Sequence, residues 1–207
     1  MSVSKPIYGD IVVGARDWLH RAWLQGYYPE DIPDEWRLGF YGNEFNTLLA
    51  PWARWRDGAE SEWCEQLEDL DEDFHLYLEL PAEVQALPDG LAGLGEGEQM
   101  AGLVCTTSNA DDWQVEADKT GLPLFRPLEQ TDIPFQCYVR NGEDTTTLVL
   151  IDTAQQQLED LVDMREVIEQ VLPLLEDIER LDLILVDNEP AIESMRNTRT
   201  IAELLGA

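Results

Sequence analysis

The residues near the N-terminus that are best suited to chemistry are aromatic and lie in segment 14–29, directly after a short apolar run. This segment, GARDWLHRAWLQGYYP, contains Trp18, His20, Trp23 and Tyr28. Rings at this density could form a wall on which a ligand stacks, with His20 as a polar contact. The same rings could instead fill core at the end of a sheet and keep only one polar edge near water. The sequence leaves both interpretations open.

A second set of polar side chains follows the predicted strands. Its members are Arg16, Arg140, Asp187 and Asn188. Parallel strands bring their carboxyl ends to one face of an α/β fold, and an arginine there can clamp a carboxylate or a phosphate. We therefore expect these four residues and the aromatic segment to form one ligand-binding site. The alternative is an Arg–Asp pair that ties two strands together.

The predicted helix 58–73 presents several acidic side chains near one face. Like charges three or four residues apart on a helix repel each other by a few tenths of a kcal/mol. A face that keeps them could meet a basic partner or imitate a nucleic-acid backbone, and a solvated surface is the simpler alternative. The acidic residues concerned are Glu62, Glu65, Glu68, Asp69 and Glu72.

Several catalytic patterns are missing from the sequence. It contains no phosphate-binding loop, no dinucleotide glycine motif and no Gly-x-Ser-x-Gly turn. Only two histidines, His20 and His75, and three widely separated cysteines, Cys64, Cys105 and Cys137, are present. No metal centre and no cofactor are therefore predicted.

The net charge narrows the choice of partners. Thirteen Lys and Arg residues against 43 Asp and Glu residues give a formal charge of −30. This charge repels nucleic acids and anionic membranes and attracts basic proteins, although acidity can serve solubility alone. No apolar run approaches the roughly 20 residues of a membrane helix, and the N-terminus lacks signal-peptide features. We expect a soluble cytoplasmic protein whose partner is a basic protein or a small anionic ligand.

Strands and helices alternate along much of the chain, which predicts an α/β fold with a largely parallel sheet or barrel in one domain, 1–207. A pair of runs within 134–152 predicts a hairpin or two successive strands. Strand 122–128 contains two prolines and is predicted to lie at an edge. The other predicted strands are 10–14, 45–50, 74–81, 100–107 and 181–187. The predicted helices are 34–45, 58–73, 109–121 and 189–206, together with a helical stripe of apolar residues that starts after Thr153 and is interrupted by Pro173. Segment 86–99 is a predicted loop.

The first part of the chain resembles a known family. Segment 11–48 is similar to the opening of the domain-of-unknown-function 72 (DUF72) family, and segments 74–81, 137–142 and 186–206 resemble its later elements in the same order. The resemblance implies a TIM-type barrel and carries no settled biochemical activity. The matching residues of the first motif are Gly14, Trp18, Trp23, Gly26, Tyr28, Pro29, Phe45, Asn46 and Thr47.

The chain departs from the family pattern at polar positions. Residues 48–51 are Leu-Leu-Ala-Pro where the pattern continues into Glu and Asn, and Glu79 stands near the place of a Lys. Asn141 replaces a His, and Asp187 with Asn188 replaces an Asn pair. Glu, Lys and His are the residue types that perform acid–base work. The resemblance therefore implies a divergent member with an incomplete or degenerate barrel and little or no catalysis.

Three functions remain open from the sequence. The leading hypothesis is a non-catalytic or degenerate barrel that binds a small ligand or a protein partner. The second is an enzyme acting on a phosphate- or carboxylate-bearing substrate held by Arg16 and Arg140. The third is an acidic decoy that sequesters a basic protein.

Overall fold

A computed structural model describes residues 9–57, 65–88, 91, 99–129, 133–143, 145–153, 161–176, 178–187 and 190–207. Eight strands form a closed barrel in which each strand pairs with the next and β8 pairs with β1. This architecture confirms the predicted α/β TIM-like barrel and shows that the barrel closes. The strands are β1 (Asp10–Arg16), β2 (Thr47–Ala50), β3 (His75–Glu79), β4 (Met100–Val104), β5 (Leu124–Pro127), β6 (Gln136–Arg140), β7 (Thr146–Asp152) and β8 (Arg180–Val186).

Helices pack around this barrel. A 3₁₀ turn, Leu172–Leu175, follows directly on the helix that ends at Val171. The α-helix does not continue because this turn contains Pro173, which cannot donate the next helical hydrogen bond. A second 3₁₀ turn, Asp34–Trp36, precedes α2. The α-helices are α1 (Arg21–Gly26), α2 (Arg37–Gly42), α3 (Trp52–Trp55), α4 (Ala110–Thr120), α5 (Leu161–Val171) and α6 (Ile192–Leu205).

Strand β6 runs opposite to both of its neighbours. It is antiparallel to β5 and to β7, whereas the remaining neighbouring strands are parallel. Only residues 128–135 connect β5 to β6, and only residues 141–145 connect β6 to β7. A parallel connection needs a crossover of a dozen or more residues, so these short links force β6 to reverse.

The barrel interior is filled by side chains. Alternation along β3 sends Leu76 and Leu78 outward to the helices and Tyr77 inward. Inside, Tyr77 packs with Leu49, Val104, Phe125, Tyr138, Leu148, Leu150 and Ile184. The described side chains therefore fill the middle of the barrel, and space for a ligand within the barrel itself is left only toward its ends.

Some element predictions need correction or lie outside the described residues. The interpretation of 122–128 as an edge strand is wrong, because β5 pairs with β4 on one side and β6 on the other. Its prolines are accommodated because Pro123 precedes the strand and Pro127 ends it. In the predicted helix 58–73, residues 65–68 are helical and 58–64 lie outside the described part. Most of the predicted loop 86–99 also lies outside it.

Candidate ligand-binding site

A cleft of about 260 Å³ opens at the end of the barrel where β1 stops. This end is called the mouth, and the opposite end is called the base. The carboxyl ends of parallel barrel strands are the usual location of barrel sites. The mouth cleft is lined by Arg16, Glu79, Thr106, Pro134, Phe135, Gln136, Leu150, Asp152 and Val186.

An ion pair spans part of the mouth cleft. Arg16 Nε donates to Glu79 Oε2 at 2.7 Å, although β2 separates their two strands. The Arg16 side chain is 37% exposed and that of Glu79 is 15% exposed. Trp55 Nε1 donates to the Glu79 carbonyl at 3.1 Å and so fixes that strand end. The pair is thus oriented before any ligand binds.

The backbone around Arg16 is held by its neighbours. Asp17 adopts a left-handed conformation, with φ of 74°, and its carboxylate accepts hydrogen bonds from the backbone N–H groups of Trp18 and Leu19. Arg54 donates to both carboxylate oxygens of Asp17 at 2.9–3.0 Å. Asp is one of the few residues besides Gly that tolerate this conformation. Asp17, which sequence reasoning missed, turns the chain away from the barrel immediately after Arg16.

The side chain of His20 also holds the backbone at Arg16. Its Nε2–H donates to the Arg16 carbonyl at 2.9 Å, since a carbonyl oxygen can only accept. The His20 side chain is buried, and its ring packs edge-on against Trp23 with 4.6 Å between centroids. His20 therefore supports Arg16 and does not line the mouth cleft.

The aromatic residues of segment 14–29 do not line the mouth cleft, and all except the half-buried Tyr27 are buried. Trp18, Trp23 and Tyr28 are each 5% exposed or less. Trp23 stacks on Tyr41 and donates its indole N–H to the Pro190 carbonyl at 2.8 Å. The Tyr28 hydroxyl donates to the Trp18 carbonyl at 2.7 Å. The expected ligand-stacking wall at the mouth is corrected accordingly: these rings fill core, as the alternative interpretation of the sequence had it.

Arg140 lies at the base, so the prediction that it converges with Arg16 is wrong. Because β6 is reversed, its last residues pair with the beginning of β7: Val139 lies opposite Thr146. The first residue of β6, Gln136, lies at the mouth instead. Among the described residues, Arg140 forms a long ion pair with Glu143, at 3.7 Å. The short links around β6 could have indicated this reversal from the sequence.

The two remaining predicted residues follow β8. The Thr153 hydroxyl donates to Asp187 Oδ2 at 2.8 Å, which joins the segments that leave β7 and β8 near the mouth. Asp187 does not line the mouth cleft. Asn188 lies outside the described residues.

Hydrogen bonds within the cleft wall connect it to the packed interior. The Tyr138 hydroxyl donates to Gln136 Oε1 at 3.1 Å. Burial raises the pKa of Tyr138 above its ordinary value, and the charge of Glu79 raises it further. Tyr138 is therefore a neutral hydrogen-bond donor that fixes the Gln136 amide at the floor of the mouth cleft.

A buried polar network inside the base was also missed by sequence reasoning. Asp182 Oδ2 lies 2.7 Å from His75 Nδ1 and accepts a hydrogen bond of 2.7 Å from the Tyr77 hydroxyl. Arg180 donates to Asp182 Oδ1 from two nitrogens at 2.8 and 3.1 Å. Arg180 also donates to the Asn46 carbonyl at 2.9 Å. This network satisfies a fully buried carboxylate and closes the base with polar groups. Arg180 and Asp182 lie more than a hundred residues along the chain from His75 and Tyr77, and no local pattern predicts the contact between these two pairs.

The described residues contain neither a cluster suited to a metal ion nor a membrane-spanning helix. No group of three or more His, Cys, Asp or Glu side chains in these parts of the chain is placed to hold a metal ion. No helix among them is both long enough and apolar enough to cross a bilayer.

Comparison with solved structures places the fold. No protein-family model and no curated protein matches the sequence. A DUF72 family protein from Thermotoga maritima superposes with a TM-score of 0.56 at 10% identity, over 96% of this chain and 100% of the other. A DUF72 family protein from Enterococcus faecalis superposes in two crystal structures with TM-scores of 0.60. Those two are 12% and 11% identical, over 93% and 95% of this chain and 95% and 99% of the other.

This chain has the DUF72 fold. The similarity seen in the motif order of the sequence thus extends to the three-dimensional architecture. Within this fold, Glu79 stands at the mouth and pairs with Arg16, whereas Arg140 lies at the base.

Proposed function

We propose that this chain is a divergent DUF72-type barrel that binds a small ligand in the mouth cleft without transforming it. The observation that carries the proposal is the mouth cleft itself, in which the Arg16–Glu79 pair is oriented by Asp17, His20 and Trp55. Its volume of about 260 Å³ lies just below the roughly 300–1,000 Å³ of pockets that hold drug-sized ligands, so a small molecule is the ligand class that fits.

The composition of the cleft wall supports binding over catalysis. No His, Lys, Cys or Ser is found among the described residues that line it. Glu79 already accepts a charge-assisted hydrogen bond from Arg16, which removes it from proton transfer in the unliganded protein. The enzyme hypothesis required Arg16 and Arg140 to hold one substrate. Their positions at opposite ends of the barrel remove that support.

A cleft-filling variant with a matched control tests this proposal. We expect isothermal titration against a panel of simple amines, carboxylates, phosphates and polyols to detect binding to the wild type and to an Arg140→Ala variant at the base. Thr106→Trp, at a half-buried position of the cleft wall, should abolish that binding. Recovery of the ligand unchanged by mass spectrometry tests the absence of catalysis. Turnover of a bound ligand, or binding that survives Thr106→Trp in a folded protein, would contradict the proposal.

A second candidate function, contact with a basic protein, is favoured by a groove beside α2. The groove has a volume of about 440 Å³, and Trp36 within it is 64% exposed. An exposed indole beside carboxylates suits Lys and Arg side chains, which bind both aromatic faces and anions. Arg37 pairs with one of these carboxylates, Asp34, at 2.7 Å. The groove is lined by Trp18, Leu19, Asp34, Glu35, Trp36, Glu65, Gln66 and Asp69.

An oligolysine peptide provides the test of this second function. We expect its binding to weaken as salt is raised and to fall several-fold in Trp36→Ala. Leu204→Ala, at another exposed apolar side chain, is the control and should bind as the wild type does. Equal binding by all three proteins would assign the attraction to net charge alone and remove the groove from consideration.

A further inference from the structure

The Arg16–Glu79 ion pair at the mouth cleft keeps hydrogen-bonding atoms in reserve on both of its members. The bond itself runs from Arg16 Nε to Glu79 Oε2 at 2.7 Å. Neither the two Nη groups of Arg16 nor Oε1 of Glu79 forms a hydrogen bond with another described residue. Because these atoms belong to the same two charged groups, donors and an acceptor lie close together in side chains that line the cleft.

The amide of Gln136 adds further donors to this cleft. The fully buried Tyr138 hydroxyl donates to Gln136 Oε1 at 3.1 Å. Burial raises the pKa of Tyr138, so the hydroxyl keeps the proton that it donates. A buried hydroxyl needs an acceptor, and this requirement turns the amide oxygen of Gln136 toward Tyr138. The amide nitrogen, with two N–H donors, is therefore left for a ligand.

A charged ligand would compete with the ion pair. An anion would compete with Glu79 for the guanidinium of Arg16, and a cation would compete with Arg16 for the carboxylate of Glu79. The hydrogen bond between these two side chains is charge-assisted and hence stronger than one between neutral groups. A neutral ligand that uses only the remaining atoms leaves this bond intact.

Hydroxyl groups on neighbouring carbons match the remaining atoms. Each hydroxyl both donates and accepts, so one can accept from an Nη group of Arg16 while the next donates to Glu79 Oε1. Further hydroxyls can accept from Gln136 and exchange hydrogen bonds with Thr106. The carbon skeleton then lies against the apolar part of the same wall, which consists of Pro134, Phe135, Leu150 and Val186.

We infer that the mouth cleft takes a small neutral polyol, a compound with hydroxyls on neighbouring carbons that bridge Arg16 and Glu79. This inference rests on the proposed ligand-binding function and replaces the small anionic ligand that the sequence suggested. Gln136, held by Tyr138, is a further residue that determines specificity.

Four probes with the same five-carbon chain test the ligand class directly. They are xylitol, 1,5-pentanediol, n-pentylamine and pentanoate, each titrated against the full wild-type chain at neutral pH and constant ionic strength. Saturation-transfer NMR, which detects the ligand itself, gives the dissociation constants. Melting temperatures would not serve, because polyols stabilise proteins in general by exclusion from their surface.

Xylitol should bind to the wild type at least tenfold more tightly than each of the other three probes. The diol keeps the terminal hydroxyls of xylitol and lacks the neighbouring ones, so this comparison isolates the paired hydroxyls. The amine and the carboxylate test the preference for a neutral ligand. Because these four measurements use the wild type, they do not depend on whether a variant folds.

Variants then locate the bound polyol. Gln136→Glu replaces N–H donors by a carboxylate oxygen and should weaken xylitol binding at least tenfold. Gln170→Glu makes the same change at an exposed position of α5 and should leave binding within about twofold. Arg16→Met removes the Nη donors but keeps a long side chain, and it should also weaken binding at least tenfold. Circular dichroism checks that each variant is folded.

The outcomes separate the two proposals. Equal binding of xylitol and 1,5-pentanediol, or a preference for the amine or the carboxylate, would overturn the polyol inference and leave the mouth cleft as a ligand site. Xylitol binding that a folded Gln136→Glu or Arg16→Met variant retains in full would also overturn it. If none of the four probes binds, the polyol inference fails, and the amines, carboxylates and phosphates of the wider panel decide separately on the proposed function.

Discussion

Arg16 and Glu79 join β1 to β3 across the mouth of the barrel, with 2.7 Å between Nε and Oε2. The two strands are not hydrogen-bonded to each other, because β2 lies between them. The contact is therefore made by side chains that converge at the rim of a closed sheet. It orients two charged side chains that line the mouth cleft.

A double-mutant cycle measures the strength of this contact. Removing Arg16, Glu79 or both by substitution with Ala should give a coupling energy of about 0.5–1 kcal/mol in urea unfolding, since the arginine is partly exposed and screened by solvent. The coupling should decrease when salt is added. A coupling energy near zero would show that the pair is not formed in solution.

Asp17 should be more important for stability than its position near the surface suggests. Asp17→Ala removes the bidentate contact with Arg54 and two acceptors for backbone N–H groups, and it places alanine at a φ of 74°. We expect a loss of about 2–3 kcal/mol in the free energy of unfolding. Asp17→Asn keeps the acceptor oxygen and tolerates this φ, so it should lose about half as much. Equal losses from both variants would assign the effect to charge alone.

The close approach of β1 to β2 at Gly14 can be tested by substitution, with Gly26 as the matched control. A Cβ at Gly14 would overlap the carbonyl oxygen of Thr47 and lie 2.6 Å from its Cγ2, whereas a Cβ at Gly26 would meet nothing within 4 Å. Gly14→Ala should therefore cost about 3 kcal/mol or more, because backbone must move. Gly26→Ala, in α1, should be neutral or stabilise by up to about 1 kcal/mol. Thermal unfolding of the two variants checks the difference.

The network at the base should be sensitive to loss of its central charge. The Asp182 carboxylate takes part in four contacts with His75, Tyr77 and Arg180. In Asp182→Asn, the amide NH₂ group would face these donors in place of an acceptor oxygen. We expect a loss of about 3 kcal/mol or more in the free energy of unfolding. Tyr77→Phe removes one of these hydrogen bonds and should cost about 1 kcal/mol. Asp31→Asn, at an exposed position, is the control and should change stability by less than about 0.5 kcal/mol.

Alkaline pH should destabilise the protein through its buried tyrosines. Burial raises their pKa above the ordinary value of 10.0, so near that pH the unfolded chain loses phenolic protons that the native protein keeps. Their stabilising contribution is complete below this value and is lost as the pH rises, by about 1.4 kcal/mol per pH unit for each tyrosine. Urea unfolding at several alkaline pH values, followed by phenolate absorbance, measures how steeply the free energy of unfolding falls with pH. Tyr77→Phe should make this fall less steep. The tyrosines concerned are Tyr27, Tyr28, Tyr41, Tyr77 and Tyr138.

The sequence predicted the elements of the fold well because their signals are local. Alternation of side chains indicated β3 and a continuous apolar run indicated β8. The predicted helix 109–121 matches α4, which Asn109 and Gly121 flank. The order of motifs also indicated the DUF72 fold that the solved structures share.

The site was predicted less well, because it depends on strand direction and on which way side chains turn. The hairpin interpretation of 134–152 was available, yet its consequence for Arg140 appears only when β6 is seen between β5 and β7. Likewise, the segment containing Trp18 and Trp23 has the composition of a binding wall, and its burial follows from α2 and the Pro190 backbone packing against it.

The sequence by itself determined the alternation of strands and helices, the acidity and the arginine at the end of β1, since each is a property of neighbouring residues or of composition. Only the tertiary structure decided that Arg16 faces Glu79, that Arg140 lies at the far end and that Asp182 meets His75 and Tyr77. Those contacts join residues brought together by closure of the barrel, and closure depends on the register of eight strands at once.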